Sequence, residues 1–189
     1  MEKIIKSKER VKKLAEVYTP GHIVDKMIDI IPQEIWLNHK STFLEPACGN
    51  GNFVIAILDK KLKNLQELNL KHILEALSSI YGIDICPDNI IECKIRLKEY
   101  LINSYDYLQP YRDIISDIVD ENYIVADFLN GREDVVIINR EFIGKNPSSV
   151  HIKKQYFNLN DIYSHNAESF KTKIVKYNYL SSMDRYVEK

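Results

Sequence analysis

At 189 residues, with 45% hydrophobic and 28% charged content, the chain has the makeup of one folded domain and is too short for a catalytic domain plus a separate DNA-reading domain of ordinary size. Its net charge of -1 excludes a global electrostatic pull toward nucleic acid, so any DNA contact has to come from a local basic patch or a partner. Cys48, Cys86 and Cys93 lack paired zinc spacing and are odd in number, and no apolar run has signal-peptide or membrane-span length, so a cytoplasmic chain is expected.

The stretch from Glu2 to Leu14 sets Ile4, Ile5, Val11 and Leu14 among basic residues and reads as a helix or arm with a solvated basic face. Tyr18-Thr19-Pro20-Gly21 is a turn, and Ile23, Val24, Met27, Ile28 and Ile31 then fall at helical spacing until Pro32 ends the helix. Ser41 to Glu45 is a short strand, followed by the glycine-containing turn Pro46 to Asn52 and the apolar helical run Phe53 to Leu58. A polar helix over Asn69 to Leu77 leads into a buried strand, Ser79 to Asp84, after which Pro87 opens a helix running to about Leu101. Two further strands are expected at Tyr123 to Asp127 and Asp134 to Ile138, with a turn at Asn130-Gly131 between them.

Four parallel strands joined by crossover helices give an α/β, Rossmann-like domain with an open, mostly parallel sheet and flanking helices. The expected organisation is an N-terminal helical segment over 1–40, a core over 41–145, and a tail over 146–189 packed on that core. The tail begins with a loop around Gly144 to Pro147 and holds two short elements, Ile152 to Phe157 and Lys173 to Leu180. Its tyrosines and phenylalanines interleave with lysines; they read first as packing groups and second as a stacking surface for single strands.

In an open parallel sheet a ligand sits beyond the carboxyl ends of the strands, so the loops there are informative. Gly49 and Gly51 permit a tight turn, and the helix that follows presents free N-H groups and a positive dipole end to a ligand carboxylate. Asp84 ends the second strand, where an acid can accept from a ribose diol; Asp127, after the third, can accept from an adenine amino group, with Ile85 and Phe128 as apolar walls. The 35 residues from Gly49 to Asp84 exceed the roughly 20 of a dinucleotide fingerprint, which disfavours a nicotinamide dehydrogenase. His22, His39, His72, His151 and His165 show no ligand spacing, so no metal is expected.

Glu16-Val17-Tyr18-Thr19-Pro20 followed by Phe43-Leu44-Glu45-Pro46-Ala47-Cys48-Gly49-Asn50-Gly51-Asn52-Phe53 resembles motifs X and I of N6-adenine DNA methyltransferases of the restriction-modification type. Tyr81 to Ile85 is similar to motif II, and Ala126 to Leu129 to motif III. The resemblance implies an S-adenosylmethionine-dependent methyltransferase fold with S-adenosylmethionine as cofactor. Tyr18, Thr19 and Pro20 would lie at its methionine part, with Glu45, Pro46, Ala47, Gly49, Gly51 and Phe53 holding the amino acid end. Asp84 would meet the ribose, and Asp127 the adenine amino group, with Phe128 or Ile85 as the apolar wall.

Motif IV departs from the family. Asp134 to Phe142 keeps Asn139 and Phe142 in register, as the group polarising a flipped adenine and the ring stacking on it, but Arg140 and Glu141 replace two prolines. Asn146-Pro147-Ser148-Ser149 is a poorer match. The family's sheet and target-recognition region continue further, so the resemblance implies a truncated C-terminal part. The first reading is a DNA adenine N6 methyltransferase or methylase subunit acting on flipped adenine, with recognition supplied by another chain. The alternatives are a catalytically silent cofactor-binding, partner or decoy module, and an RNA or protein methyltransferase.

Overall fold

The computed structural model describes residues 5–14, 16–131, 134–143, 149–165 and 167–178. Asn146, Pro147 and Ser148, the loop start at Gly144, and the tail residues from Tyr179 on lie outside the described residues. Among the described residues, no helix is long and apolar enough to cross a membrane.

Three short strands, β1 (Phe43–Glu45), β2 (Ile80–Asp84) and β3 (Tyr123–Val125), form a parallel sheet in the order β1-β2-β3. β2 is central and buried throughout, because both its faces are covered. Ile80 packs with Tyr123 and the helices, while Tyr81 and Ile83, one step out of phase, pack with Val135, Ile137 and Leu159. Gly82 is required by that packing: a Cβ there would sit 2.5 Å from Tyr123 Cδ1 and 3.1 Å from Cys48 Sγ.

The helices follow the apolar spacing of the chain. α1 (Lys8–Leu14) is shorter than the expected arm, and its residues are not all simply solvated. Arg10 pairs with Glu16 and Asp88, and Lys6 just before the helix lies 2.9 Å from Asp88 and 3.0 Å from Glu92. α2 (Gly21–Ile28) buries Val24 and Ile28, four residues apart. It ends before the expected Ile31, and Pro32 instead precedes α3 (Gln33–Leu37), which buries Trp36. α4 (Asn52–Lys63), α5 (Leu70–Ser78) and α6 (Pro87–Ser104) take their expected places. A 3-10 helix (Asp106–Tyr111) and α7 (Arg112–Asn122) complete the crossover to β3; α7 buries Ile114, Ile115, Ile118 and Val119.

Lys61 on α4 is fully buried with no carboxylate partner among the described residues; its ammonium donates to the His39 and Ser41 carbonyls and to Ser79 Oγ at 2.7 Å. Burial pushes this amine down to about 7. The side chain ties the approach to β1 to the start of β2.

The expected fourth parallel strand is not part of this sheet. β4 (Val136–Ile143) pairs antiparallel with β5 (Ser149–Asn158), which pairs antiparallel with β6 (Lys171–Asn178); α8 (Leu159–Tyr163) lies between the last two. The reason is local: a partner a few residues away in sequence closes a small loop at low entropic cost. Val135 and Ile137 are buried against Tyr81 and Ile83 on one face of the parallel sheet, and the Tyr81 hydroxyl donates to the Ile138 carbonyl at 3.0 Å. The second sheet spans the expected boundary at 145/146, and its Phe142, Val150, Ile152 and Tyr177 pack against the helical core. β3 ends two residues early because Asp127 turns back on itself, accepting from the Leu129 and Asn130 amides at 3.0 and 3.1 Å.

Candidate functional site

Two clefts open at opposite ends of the parallel sheet. The larger, about 680 Å³, lies beyond the carboxyl ends of β1, β2 and β3 and is lined by Glu45, Asp84 and Ala126 together with the loops that follow them. That volume is in the usual range for small-ligand sites. The smaller, about 400 Å³, is lined by Thr42 and Ser79, the residues just before β1 and β2, and by Asn139 to Phe142.

The turn after β1 builds the floor of the larger cleft. Gly49 and Gly51 take φ values of 52° and 92°, a region that side chains with a Cβ avoid. Gly51 caps α4, and a Cβ on it would lie 2.7 Å from Cys93 Sγ. Asp84 braces the turn: its Oδ2 accepts the Gly49 amide at 2.9 Å, and its Oδ1 accepts the Cys86 amide at 2.8 Å and the Asn89 side chain at 3.2 Å. Asn89 is buried and is the hub of the wall. Its Oδ1 accepts the Tyr18 hydroxyl at 2.9 Å, and its Nδ2 also donates to Glu16 Oε2 at 3.0 Å. Burial, the largest effect, pushes the Tyr18 phenol up to about 12.

The segment before α2 is anchored from the other side, where Asn52 Nδ2 donates to the Thr19 carbonyl at 2.8 Å and Arg96 donates to the Asn50 carbonyl and Asn52 Oδ1 at 2.7 and 2.9 Å. Burial raises the Glu45 carboxyl, opposed by the Ala47 amide at 3.3 Å. Hydrogen bonding with Cys93 and burial both push the Cys48 thiol up. Glu16 Oε1 is buried with no hydrogen-bond partner among the described residues. Side-chain and backbone hydrogen bonds from Asn130 hold Asp127 low.

The structure therefore brings Tyr18, Thr19, Glu45, Pro46, Ala47, Gly49, Phe53, Asp84, Ile85, Asp127 and Phe128 to one cleft. Pro20 and Gly51 stand behind its wall, Pro20 at the start of α2 and Gly51 at the start of α4. Comparison with known proteins identifies no relative: no family model, curated protein or solved structure matches this chain.

Asn139 and Phe142 do not join that cleft. They lie on β4 at the amino ends of the strands, beside the smaller cleft. Arg140, between them, has a fully buried side chain that donates to Asn122 Oδ1 at 2.6 Å and to Glu121 Oε2 at 2.7 Å, where Lys154 from β5 also binds. Arg140 is thus a structural tie between α7 and the second sheet.

The sequence reading gave no role to Asn89. Its signal is a polar residue on the apolar stripe that Cys93 and Leu97 continue at intervals of four along α6. Among the described residues, those lining the larger cleft include four carboxylates, Glu16, Glu45, Asp84 and Asp127, and no lysine, arginine or histidine.

Proposed function

We propose that the chain binds S-adenosylmethionine in the cleft at the carboxyl ends of β1 to β3 and serves as a cofactor-holding module of adenine N6 methyltransferase type, silent in methyl transfer on its own. The observation that carries this reading is the acidic lining of the cleft, with no basic side chain among its described residues. A dinucleotide would bring phosphates against four carboxylates, whereas S-adenosylmethionine brings a sulfonium and an ammonium. The Glu45 carboxylate, which lines the cleft, is an acceptor for that ammonium. The Gly49 turn and the first amides of α4 suit its carboxylate, Asp84 its ribose, and Asp127 its adenine amino group between Ile85 and Phe128.

The silent assignment rests on the position of Asn139 and Phe142. In-line methyl transfer requires the acceptor nitrogen about 3–3.5 Å from the methyl group, and the residues expected to hold it lie at the other end of the sheet. A second reading, an active DNA methylase subunit completed by another chain, is favoured by the exposed apolar rim of the cleft, where Val17, Ile85 and Leu129 are 55%, 54% and 81% exposed.

Calorimetric titration of the purified chain with S-adenosylmethionine tests the binding. The expected result is a one-to-one complex weakened in Asp127→Ala, with circular dichroism checking that the variant keeps its fold. A folded wild-type chain that binds none overturns the reading. Labelled methyl transfer to adenine-containing DNA decides the rest: transfer by the chain alone, lost in Asn139→Ala, excludes the silent module.

A further inference from the structure

The fold gathers two histidines that sequence spacing leaves apart. His72 and Glu75 lie three residues apart on α5, which puts them on one helical face. His39 comes from the segment between α3 and β1, whose backbone Lys61 fixes by donating to the His39 carbonyl at 2.8 Å. One ligand-type atom from each of the three side chains falls within 4.8 Å of the others, and the two imidazole rings are 4.9 Å apart between centroids.

Two details suit these groups to a cation. His72 Nδ1 is 2.9 Å from the Glu67 carbonyl, an acceptor only, so in the neutral ring Nδ1 is the donor and Nε2 presents its lone pair. That is the outer-shell arrangement of metal-binding histidines. The Glu75 carboxylate is 8% exposed and divides its oxygens: Oε1 takes Lys40 at 2.9 Å, while Oε2 faces His39 Nε2 at 2.9 Å.

We propose that His39, His72 and Glu75 bind a divalent transition ion of the zinc class through two imidazole nitrogens and one carboxylate oxygen. Tetrahedral zinc, with bonds of about 2.0–2.1 Å, needs ligand atoms roughly 3.4 Å apart, which rotation of the partly exposed imidazoles achieves. The ion replaces the His39 to Glu75 hydrogen bond and takes both histidines neutral. Three protein ligands leave a fourth position for water. Lys40 and Lys71, the latter 4.0 Å from Glu75 Oε1, place positive charge beside the ion and hold its affinity below that of a four-ligand site. Bound there, the ion clips the segment leading into β1 to α5, at the rim of the smaller cleft that Glu75 also lines. None of this depends on the cofactor reading of the larger cleft.

Titration of the full chain with zinc chloride, and with cobalt(II) followed by absorption, tests the site. One equivalent is expected to bind, with tetrahedral cobalt bands free of thiolate charge transfer and a zinc-dependent rise in melting temperature. His39→Ala, His72→Ala and Glu75→Gln should each weaken binding by ~10-fold or more, since even outer partners of a metal site command that scale. His22→Ala and His165→Ala should leave it unchanged. Absence of zinc binding by the folded wild-type chain overturns the proposal. So does binding that survives in the triple variant, or a cobalt spectrum with thiolate bands that points to the cysteines.

Discussion

Asp84 Oδ2 accepts the amide of Gly49 at 2.9 Å, joining the end of β2 to the glycine turn after β1. The acid that the cofactor reading assigns to a ribose thus also shapes the turn beneath it. Asp84→Ala strands the Gly49 and Cys86 amides, each a buried or half-buried donor, and is expected to cost about 1–3 kcal/mol. Urea unfolding monitored by circular dichroism gives that number. S-adenosylmethionine affinity should fall with it, and by more than in Asp127→Ala, because the floor and the ribose acceptor are lost together.

Gly82 allows β2 and β3 to approach with Tyr123 between them. Gly82→Ala places a methyl group 2.5 Å from Tyr123 Cδ1, an overpacking expected to cost about 1–3 kcal/mol or more. The clash is with the ring edge, so the cost should persist in a Tyr123→Phe background and shrink in a Tyr123→Leu background. A double-mutant cycle on unfolding free energies measures this; equal penalties in all three backgrounds would remove Tyr123 as the cause.

Much of the parallel half of the molecule is legible in the sequence because local chemistry dictates it. The turn from Glu45 to Asn52 needs two glycines at positive φ, and Ile80 to Asp84 is an apolar run of strand length ending in an acid. α7 is absent from the sequence reading although Ile114, Ile115, Ile118 and Val119 carry a helical stripe, because that stripe sits among acids and follows the Pro110 interruption. The direction of β4 is a different matter. A run such as Val135 to Ile138 fits a strand buried on both faces in either sheet type, and only its pairing with 149–158 decides. The same pairing carries Asn139 and Phe142 away from the cleft their motif suggests, and the meeting of His39 with His72 depends on contacts 33 residues apart in sequence that no spacing rule contains.

Arg140 tests whether β4 is a strand in its own right or a displaced catalytic loop. Its buried guanidinium binds Glu121 and Asn122, and Glu121 keeps Lys154 when Arg140 is lost. Arg140→Ala is therefore expected to cost roughly 3 kcal/mol, the lower end for breaking a buried pair. Introducing the Asn-Pro-Pro-Phe pattern of the resembled family by Arg140→Pro with Glu141→Pro removes two backbone donors, of which one faces β5 on this edge strand. The double variant should lose stability and gain no adenine methylation, read by thermal unfolding and labelled methyl transfer. A stable double variant that methylates DNA would return Asn139 to the catalytic role.

The arm at Lys6 and Arg10 responds to pH through Asp88. Hydrogen bonds from Arg10 and then Lys6 hold the Asp88 carboxyl down at about 2. A carboxylate with a depressed folded value contributes stability that is fully present above its unfolded value of about 3.9 and fades as pH falls through the folded one. Asp88→Asn removes that contribution, so the difference in urea midpoint between wild type and variant should be largest above about pH 5 and should close toward pH 2. The side chain is 53% exposed, so the difference should also shrink in high salt, as solvent and ions screen the pair. A difference that is independent of both pH and salt would mean that Asp88 acts at the start of α6 through packing and not through its charge.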